Sequence, residues 1–538
     1  MLWARPRHTS GSVTIQDRHR SKSSLLARAS RSSYSSRFLD HVAPVFGSHG
    51  VPMKRSIAAF CLALVTACAS QPASESQSSQ APPGSIAYTS KSPEAIAQVQ
   101  KGETLLDNLR PDEALEAFTA AMKLDPAFVL AQAEHGIAIP GPEGLKEIES
   151  AAAAAKDVSE AERALIDGLL AQRKAEPGAA VAALRRLTTA APGYARGHYI
   201  LGAVLLNQEQ ETDAVASLQK AIELDANSGG AQNMLGYAAL RRGDTEKAIA
   251  AFGEYVRILP QEPNAHDSLG EALLAAGRFQ DAEAAFQKSV ELSPQFFSGY
   301  EGIAFARFYA GNWAGGRDAM AKAKAAATRR GDQMQMDIEL AAAALAQKNT
   351  AEALQILDAA AKTEGASPNQ TAIIPVRRAM TLIIAGRARE ALAPLAAALA
   401  TADSGQLPPG PTVTVRLETL RARVLAEATL KDAAAAEKTS AALDMAAASR
   451  SDDTNTQTAM HFGKAMLAVA QGDLAGARSH FNQCSREDEI CRWQAQRAAD
   501  AGGDQKEASA IRDEILKLYR RSPAHLVIRS RITPQRTS

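Results

Sequence analysis

From about Ala161 the chain returns to one pattern every 34 residues, in four registers at once. Gly168, Gly202, Gly236 and Gly270 hold the first; Ala180, Ala214, Ala248 and Ala282 the second; Leu184, Leu218, Phe252 and Phe286 the third; Pro192, Ala226, Pro260 and Pro294 the fourth. A chain so patterned is confined to stacked copies of one supersecondary unit, because a single copy cannot bury its apolar face alone. Glycine inside a helix costs about 1 kcal/mol against alanine, so four at one register mark close helix contact. The alanine and the large residue four positions on share one helix face. Each unit therefore reads as a helical hairpin. Turns such as "RRGDTEKA" (Arg241 to Ala248) and "AAGRFQDA" (Ala275 to Ala282) join its helices, and proline stops the second.

The pattern persists more weakly on both sides. Upstream, Gly102, Ala114, Phe118, Ala121 and Pro126 make one more complete unit, and residues 127–156 read as a helical pair whose turn is replaced by "IPGPEG" (Ile139 to Gly144). Ser159 with Glu162 has the spacing of a capping box that restarts the array. Downstream, "GNWAGGRDAM", "KNTAEALQIL", "GRAREALAPL", "QGDLAGARSHF" and "GGDQKEASAI" each look like an inter-helix turn, giving about ten units in all. The offsets resemble those of the tetratricopeptide repeat, most clearly over residues 161–294. The resemblance implies an all-α, right-handed superhelix of hairpins over residues 93–400, continued by degenerate repeats over 413–527, with 528–538 a tail. "TADSGQLPPGPT" (Thr401 to Thr412) marks where two lobes would part.

"MKRSIAAFCLALVTACAS" (Met53 to Ser70) has a basic start, a short apolar run and a small-residue exit, the plan of a secretory signal. Val65-Thr66-Ala67-Cys68 resembles the lipobox of bacterial lipoproteins, which implies that residues 53–67 are removed and that Cys68 becomes the lipidated N-terminus. Ala69 follows it. In such lipoproteins an Asp there would favour the inner membrane, so the implied location is the periplasmic face of the outer membrane. Residues 1–52 then precede the true start or leave with the signal. Residues 68–92, rich in Ser, Gln and Pro, read as a flexible tether.

A formal net charge of +1 gives no field to attract nucleic acid, and no nucleic-acid motif appears, so none is expected as a partner. No phosphate loop, nucleophile elbow, H-E-x-x-H or C-x-x-C occurs, and no cofactor or metal is expected. His135, His198, His266 and His461 fall in helical segments with no recurring acid or nucleophile beside them. Cys61 leaves with the signal and Cys68 carries lipid, so Cys484 and Cys491 are the thiols that remain. In an oxidising periplasm they are expected to pair; a metal site using His480 as third ligand is the alternative.

The family places its groove residues on the first helix of each repeat. Those positions hold Arg196 and Tyr199; Asn233, Tyr237 and Arg241; then Asn264, Asp267 and Glu271, with Phe305 and Tyr309 continuing the line. Such a mixture suits an extended peptide, since amides pair with backbone, aromatics cover side chains and charges read charges. Tyr199 and Ala203 stand where chaperone-binding members carry Lys and Asn, so a chaperone tail is not implied. The expected function is a non-enzymatic scaffold, lipid-anchored, holding periplasmic or outer-membrane proteins in its groove. The alternatives are an envelope enzyme or subunit with chemistry near His480, and a soluble cytoplasmic scaffold.

Overall fold

The computed structural model describes residues 84–533, apart from 109, 140, 175, 364–367 and 449–453. The signal, the lipobox, Cys68 and most of the tether lie outside the described residues. Those described form helices and turns with no strand among them. In chain order the helices are α1 (Pro93–Asp107), α2 (Pro111–Leu124), α3 (Val129–Ala138), α4 (Gly141–Ala154), α5 (Glu160–Arg173), α6 (Pro177–Ala190), α7 (Ala195–Asn207), α8 (Glu211–Leu224), α9 (Gly229–Arg241), α10 (Thr245–Ile258), α11 (Pro263–Ala275), α12 (Phe279–Leu292) and α13 (Phe297–Tyr309). They continue as α14 (Trp313–Ala326), α15 (Arg330–Ala346), α16 (Thr350–Ala360), α17 (Pro368–Thr371), α18 (Ile374–Ile384), α19 (Ala388–Asp403), α20 (Pro409–Thr429), α21 (Ala433–Ala447), α22 (Thr454–Gln471), α23 (Leu474–Phe481), α24 (Glu489–Ala501), α25 (Gln505–Lys517) and α26 (Pro523–Ile532).

Apart from the short α17 and the terminal α26, they pack as consecutive antiparallel hairpins, α1 with α2 through α24 with α25, each stacked on the next. Twelve such pairs stand among the described residues. The four sequence registers are the packing surface of this stack. Ala180, Ala214, Ala248 and Ala282 are fully buried, as are Leu184, Leu218, Phe252 and Phe286. The glycine register is where the two helices of a hairpin close: a β-carbon on Gly236 would lie 2.5 Å from the Phe252 ring. The turns reverse through a left-handed residue, Gly243 (φ 71°), Gly277 (φ 77°) or Gly311 (φ 84°), and Asp244 or Asn312 then caps the next helix. Ser159 Oγ accepts from the Glu162 amide at 3.2 Å while the Glu162 carboxylate accepts from the Ser159 amide at 3.3 Å, a complete capping box.

Four expectations need correction. Residues 84–92 are not tether: Ile86 is 1 % exposed, Tyr88 packs edge-on against Phe128, and the Thr89 amide donates to Glu162 at 2.8 Å. Two apolar side chains in a polar stretch suffice to dock it. Residues 528–532 are not tail but the end of α26, in which Leu526, Val527 and Ile528 are buried; Ser522 caps that helix and Pro523 opens it. The turn read as "IPGPEG" is shorter, because α4 begins at Gly141, and Arg173 donates to the Ile139 and Gly141 carbonyls at 2.7 and 3.0 Å. Finally, α19 and α20 pack on each other across residues 404–408, where Leu407 is buried with Ala372, Ala402 and Val415. That stretch is a packed corner between neighbours. No helix among the described residues is long and apolar enough to cross a membrane.

Candidate functional site

The first helices of the hairpins, α7, α9, α11 and α13 among them, carry every groove residue anticipated from sequence. The structure shows these side chains already engaged by the chain itself.

At the N-terminal end, Arg196 is clasped by Glu134 (2.6 Å), Asp107 (3.0 Å) and Glu103 (3.3 Å), so that α1, α3 and α7 are tied through one guanidinium. Tyr194 donates to Glu103 at 3.0 Å. Burial pushes the Glu103 carboxyl up to about 8 despite the adjacent Arg196, and Asp107, with 23 % of its side chain exposed, is raised to about 6. Tyr199 is buried and packs over Gly230, and Asn233 is 1 % exposed. These contacts tie successive hairpins to one another across the inner face.

Further along, the occupant is the chain's own C-terminal segment. After α25, residues 518–522 cross the ends of α9, α11 and α13 outside any helix, with a bend at Arg521 where the Ser522 amide donates back to the Arg520 carbonyl at 2.8 Å. The Tyr519 amide donates to the Ala275 carbonyl at 3.2 Å, and Tyr309 Oη donates to the Arg520 carbonyl at 2.7 Å. The Tyr519 ring stands edge-on to Phe279 and to Tyr309, with centroids 4.8 and 5.1 Å away. Arg521 then turns into the groove. Its guanidinium, 2 % exposed, donates to Asp267 (3.1 Å), Ser298 Oγ (2.5 Å) and Glu301 (3.5 Å), and lies 5.5 Å above the Phe286 ring. Tyr237 reaches Ser268 at 3.3 Å and Glu271 at 3.5 Å behind it. Burial lowers the stability of the Arg521 charge, but Asp267, Glu301 and Glu271 outweigh it and hold the guanidinium charged. Arg241 meets Glu487 at 3.1 Å, and Asn264 reaches Tyr255 Oη at 3.5 Å. Phe305 is fully buried. The residues foreseen as an open groove are thus a groove filled in cis.

Sequence reading missed the filler. Tyr519, Arg520 and Arg521 sit more than 200 positions from the groove residues they meet, and only the Ser522–Pro523 start of α26 hints at a structured crossing.

The C-terminal half differs. There α15, α18, α20, α22 and α24 surround a cavity of about 290 Å³, closed at one end by Pro523, Ala524 and Val527 of α26. Nearby, Cys484 and Cys491 are joined as a disulfide between the end of α23 and the start of α24. Both sulfurs being bonded, the Cys-Cys-His metal arrangement lacks its thiolates. His480 instead faces His461, Nδ1 to Nδ1 at 3.3 Å, and partial burial together with His480 lowers the His461 pKa below the usual histidine range. No cluster of three or more His, Cys, Asp or Glu placed to hold a metal occurs among the described residues.

Residues 167–231, 212–263 and 233–295 match the family model of the tetratricopeptide repeat. Among solved structures, the MamA protein is 23% identical, aligned over 31% of this chain and 91% of its own, with a TM-score of 0.29. A tetratricopeptide repeat protein from Parabacteroides merdae is 15% identical over 48% of this chain and 99% of its own, with a TM-score of 0.37. YrrB, described as a TPR protein with an unusual peptide-binding site, is 16% identical over 39% of this chain and 93% of its own, with a TM-score of 0.26. No curated protein matches the chain.

Proposed function

We propose that this protein is a non-enzymatic interaction scaffold that holds extended segments of partner proteins against the concave face of its tetratricopeptide repeats. The observation that carries the reading is the seat of residues 518–522, where backbone atoms, an aromatic shelf and a carboxylate-lined pocket receive a non-helical segment of the chain's own. A partner segment is held by the same chemistry: main-chain pairing for affinity, side-chain pockets for choice.

The scaffold's place is the bacterial envelope, anchored through acyl chains on Cys68 to the periplasmic face of the outer membrane, with periplasmic or outer-membrane proteins as partners. The supporting feature is the signal and lipobox pattern of Met53 to Cys68.

The test is crosslinking in intact cells followed by purification and mass spectrometry, beside Cys68→Ser and Glu301→Gln forms. The expected result is one reproducible envelope protein, absent with Cys68→Ser and changed in yield at least several-fold with Glu301→Gln. Equal capture from all three forms, or none from the parent, overturns the reading.

A further inference from the structure

The cavity in the C-terminal half is built unlike the rest of the concave face. Its walls come from the first helices of five successive hairpins and from α26, and are mostly aliphatic: Ile338 and Leu345 of α15, Met380 and Ile384 of α18, Leu425 of α20, Val527 of α26. Alanines 341, 342 and 422 fall among them, and it is their short side chains that leave the space.

Its volume of about 290 Å³ is roughly twice that of an apolar cavity of about 150 Å³ that accepts a benzene ring. Two six-carbon units correspond to a single chain of roughly eight to twelve carbons. It sits near the lower end of the range of about 300–1,000 Å³ typical of small-molecule sites. A second, more open cleft of about 430 Å³ between α5 and α6 is lined by Asp167, Lys174, Glu176 and Arg186 with small alanines, and has no comparable apolar wall.

One wall of the C-terminal cavity is polar. Arg377 pairs with Glu418 at 3.2 Å, and Arg421 pairs with Asp488 at 2.8 Å while its guanidinium lies 4.7 Å above the Phe462 ring. The two pairs cancel in formal charge. What remains is a hydrogen-bond donor: Arg421 Nε is buried and has no partner. Arg377 and Arg421 both line the cavity, so an oxygen brought in by a ligand meets guanidinium donors at this wall, most strongly if that oxygen is a carboxylate's.

We infer that the cavity between α15, α18, α20, α22 and α26 binds a single-chain amphiphile of fatty-acid type, its chain among the aliphatic residues and its carboxylate on Arg421. The site adjoins the seat of residues 518–522, sharing Ser522 with it, but does not depend on the scaffold reading; α26 closes it on one side, so a bound chain also braces the C-terminal helix.

The probe is decanoate, with decanol as its uncharged counterpart, titrated into the full-length protein by calorimetry. A decanoate bearing a terminal diazirine is photolysed on the same sample and the labelled peptides sequenced. The expected result is saturable binding of one decanoate, label in the peptides spanning 338–345 and 418–425, and at least about tenfold weaker binding in Ala422→Phe, whose added ring fills the space. Arg421→Gln weakens decanoate several-fold more than decanol, a discrimination that mere loss of packing would not give. Absence of saturable binding in the parent, or label elsewhere in the chain, overturns the inference; the labelling decides it even if Ala422→Phe fails to fold. Decanol binding as tightly as decanoate, with Arg421→Gln without effect on either, overturns the carboxylate assignment.

Discussion

The concave face of α1–α13 and that of α15–α24 are made by the same hairpin, stacked the same way, yet one interior is filled and the other hollow. In the first, the inward positions carry Arg196, Asp267 and Glu301, and each charge is paired with a side chain from another part of the chain. In the second they carry Ile338, Ala342, Met380 and Leu425, and α26 closes the space on one side without filling it. The difference teaches that the repeat specifies a scaffold and leaves the interior free. Framework residues face neighbouring helices and repeat; inward residues face the superhelix axis and vary.

The sharpest way to break the contrast is to remove the guanidinium at the centre of the filled groove. Arg521→Ala leaves Asp267 and Glu301 buried without a counter-charge, and breaking a buried pair from one side costs about 3–5 kcal/mol. The expected outcome is release of residues 518–532, read as new protease cleavage after Lys517 with helicity otherwise retained. Unchanged protection would mean that α26 docks through Leu526, Val527 and Ile528 alone.

A smaller effect separates framework from interior. Gly236→Ala forces a β-carbon to within 2.5 Å of the Phe252 ring, an overpacking worth about 1–3 kcal/mol, whereas Gly253→Ala, with open space around it, is expected to be neutral or slightly stabilising. Denaturant midpoints of the two variants check this; a neutral Gly236→Ala would show that the hairpin yields.

Another effect is electrostatic and confined to the N-terminal interior. An ordinary Glu carboxyl has a pKa of 4.5, and burial raises that of Glu103 to about 8, so between those values the folded chain holds a proton that the unfolded chain has lost. Stability from this group therefore falls as pH rises from about 4.5 to 8 and is flat above. Thermal melts at pH 6 and pH 8.5 are expected to show a lower midpoint at the higher pH. In Glu103→Gln the difference shrinks, since the amide does not titrate. An equal difference in both proteins would assign it to other groups.

The array was legible in the sequence wherever local physics decides it. A glycine on one helix facing Leu or Phe on the next, left-handed residues in the turns, Asp or Asn caps where they occur and a closing proline all act within one unit, so periodicity exposes them. The Ser159–Glu162 box was readable for the same reason. Even the degenerate turns, such as the one before Asp473, keep Gly472 left-handed and the cap in place. The groove residues were legible as positions on their helices but not in their state. Arg196, Tyr237 and Asp267 look like a solvated binding surface when read one repeat at a time.

What the sequence by itself determined is the hairpin, its period and the residues that lock its two helices, because these contacts close within 34 residues and each is specified by its own packing and capping. Only the tertiary structure decided which inward faces are occupied. The small rotation from each hairpin to the next accumulates until Arg241 meets Glu487 and Asp267 meets Arg521, pairs separated by 246 and 254 positions. That curvature is a sum over many interfaces and is written in no single repeat, which is why the filled groove and the hollow one carry the same signature.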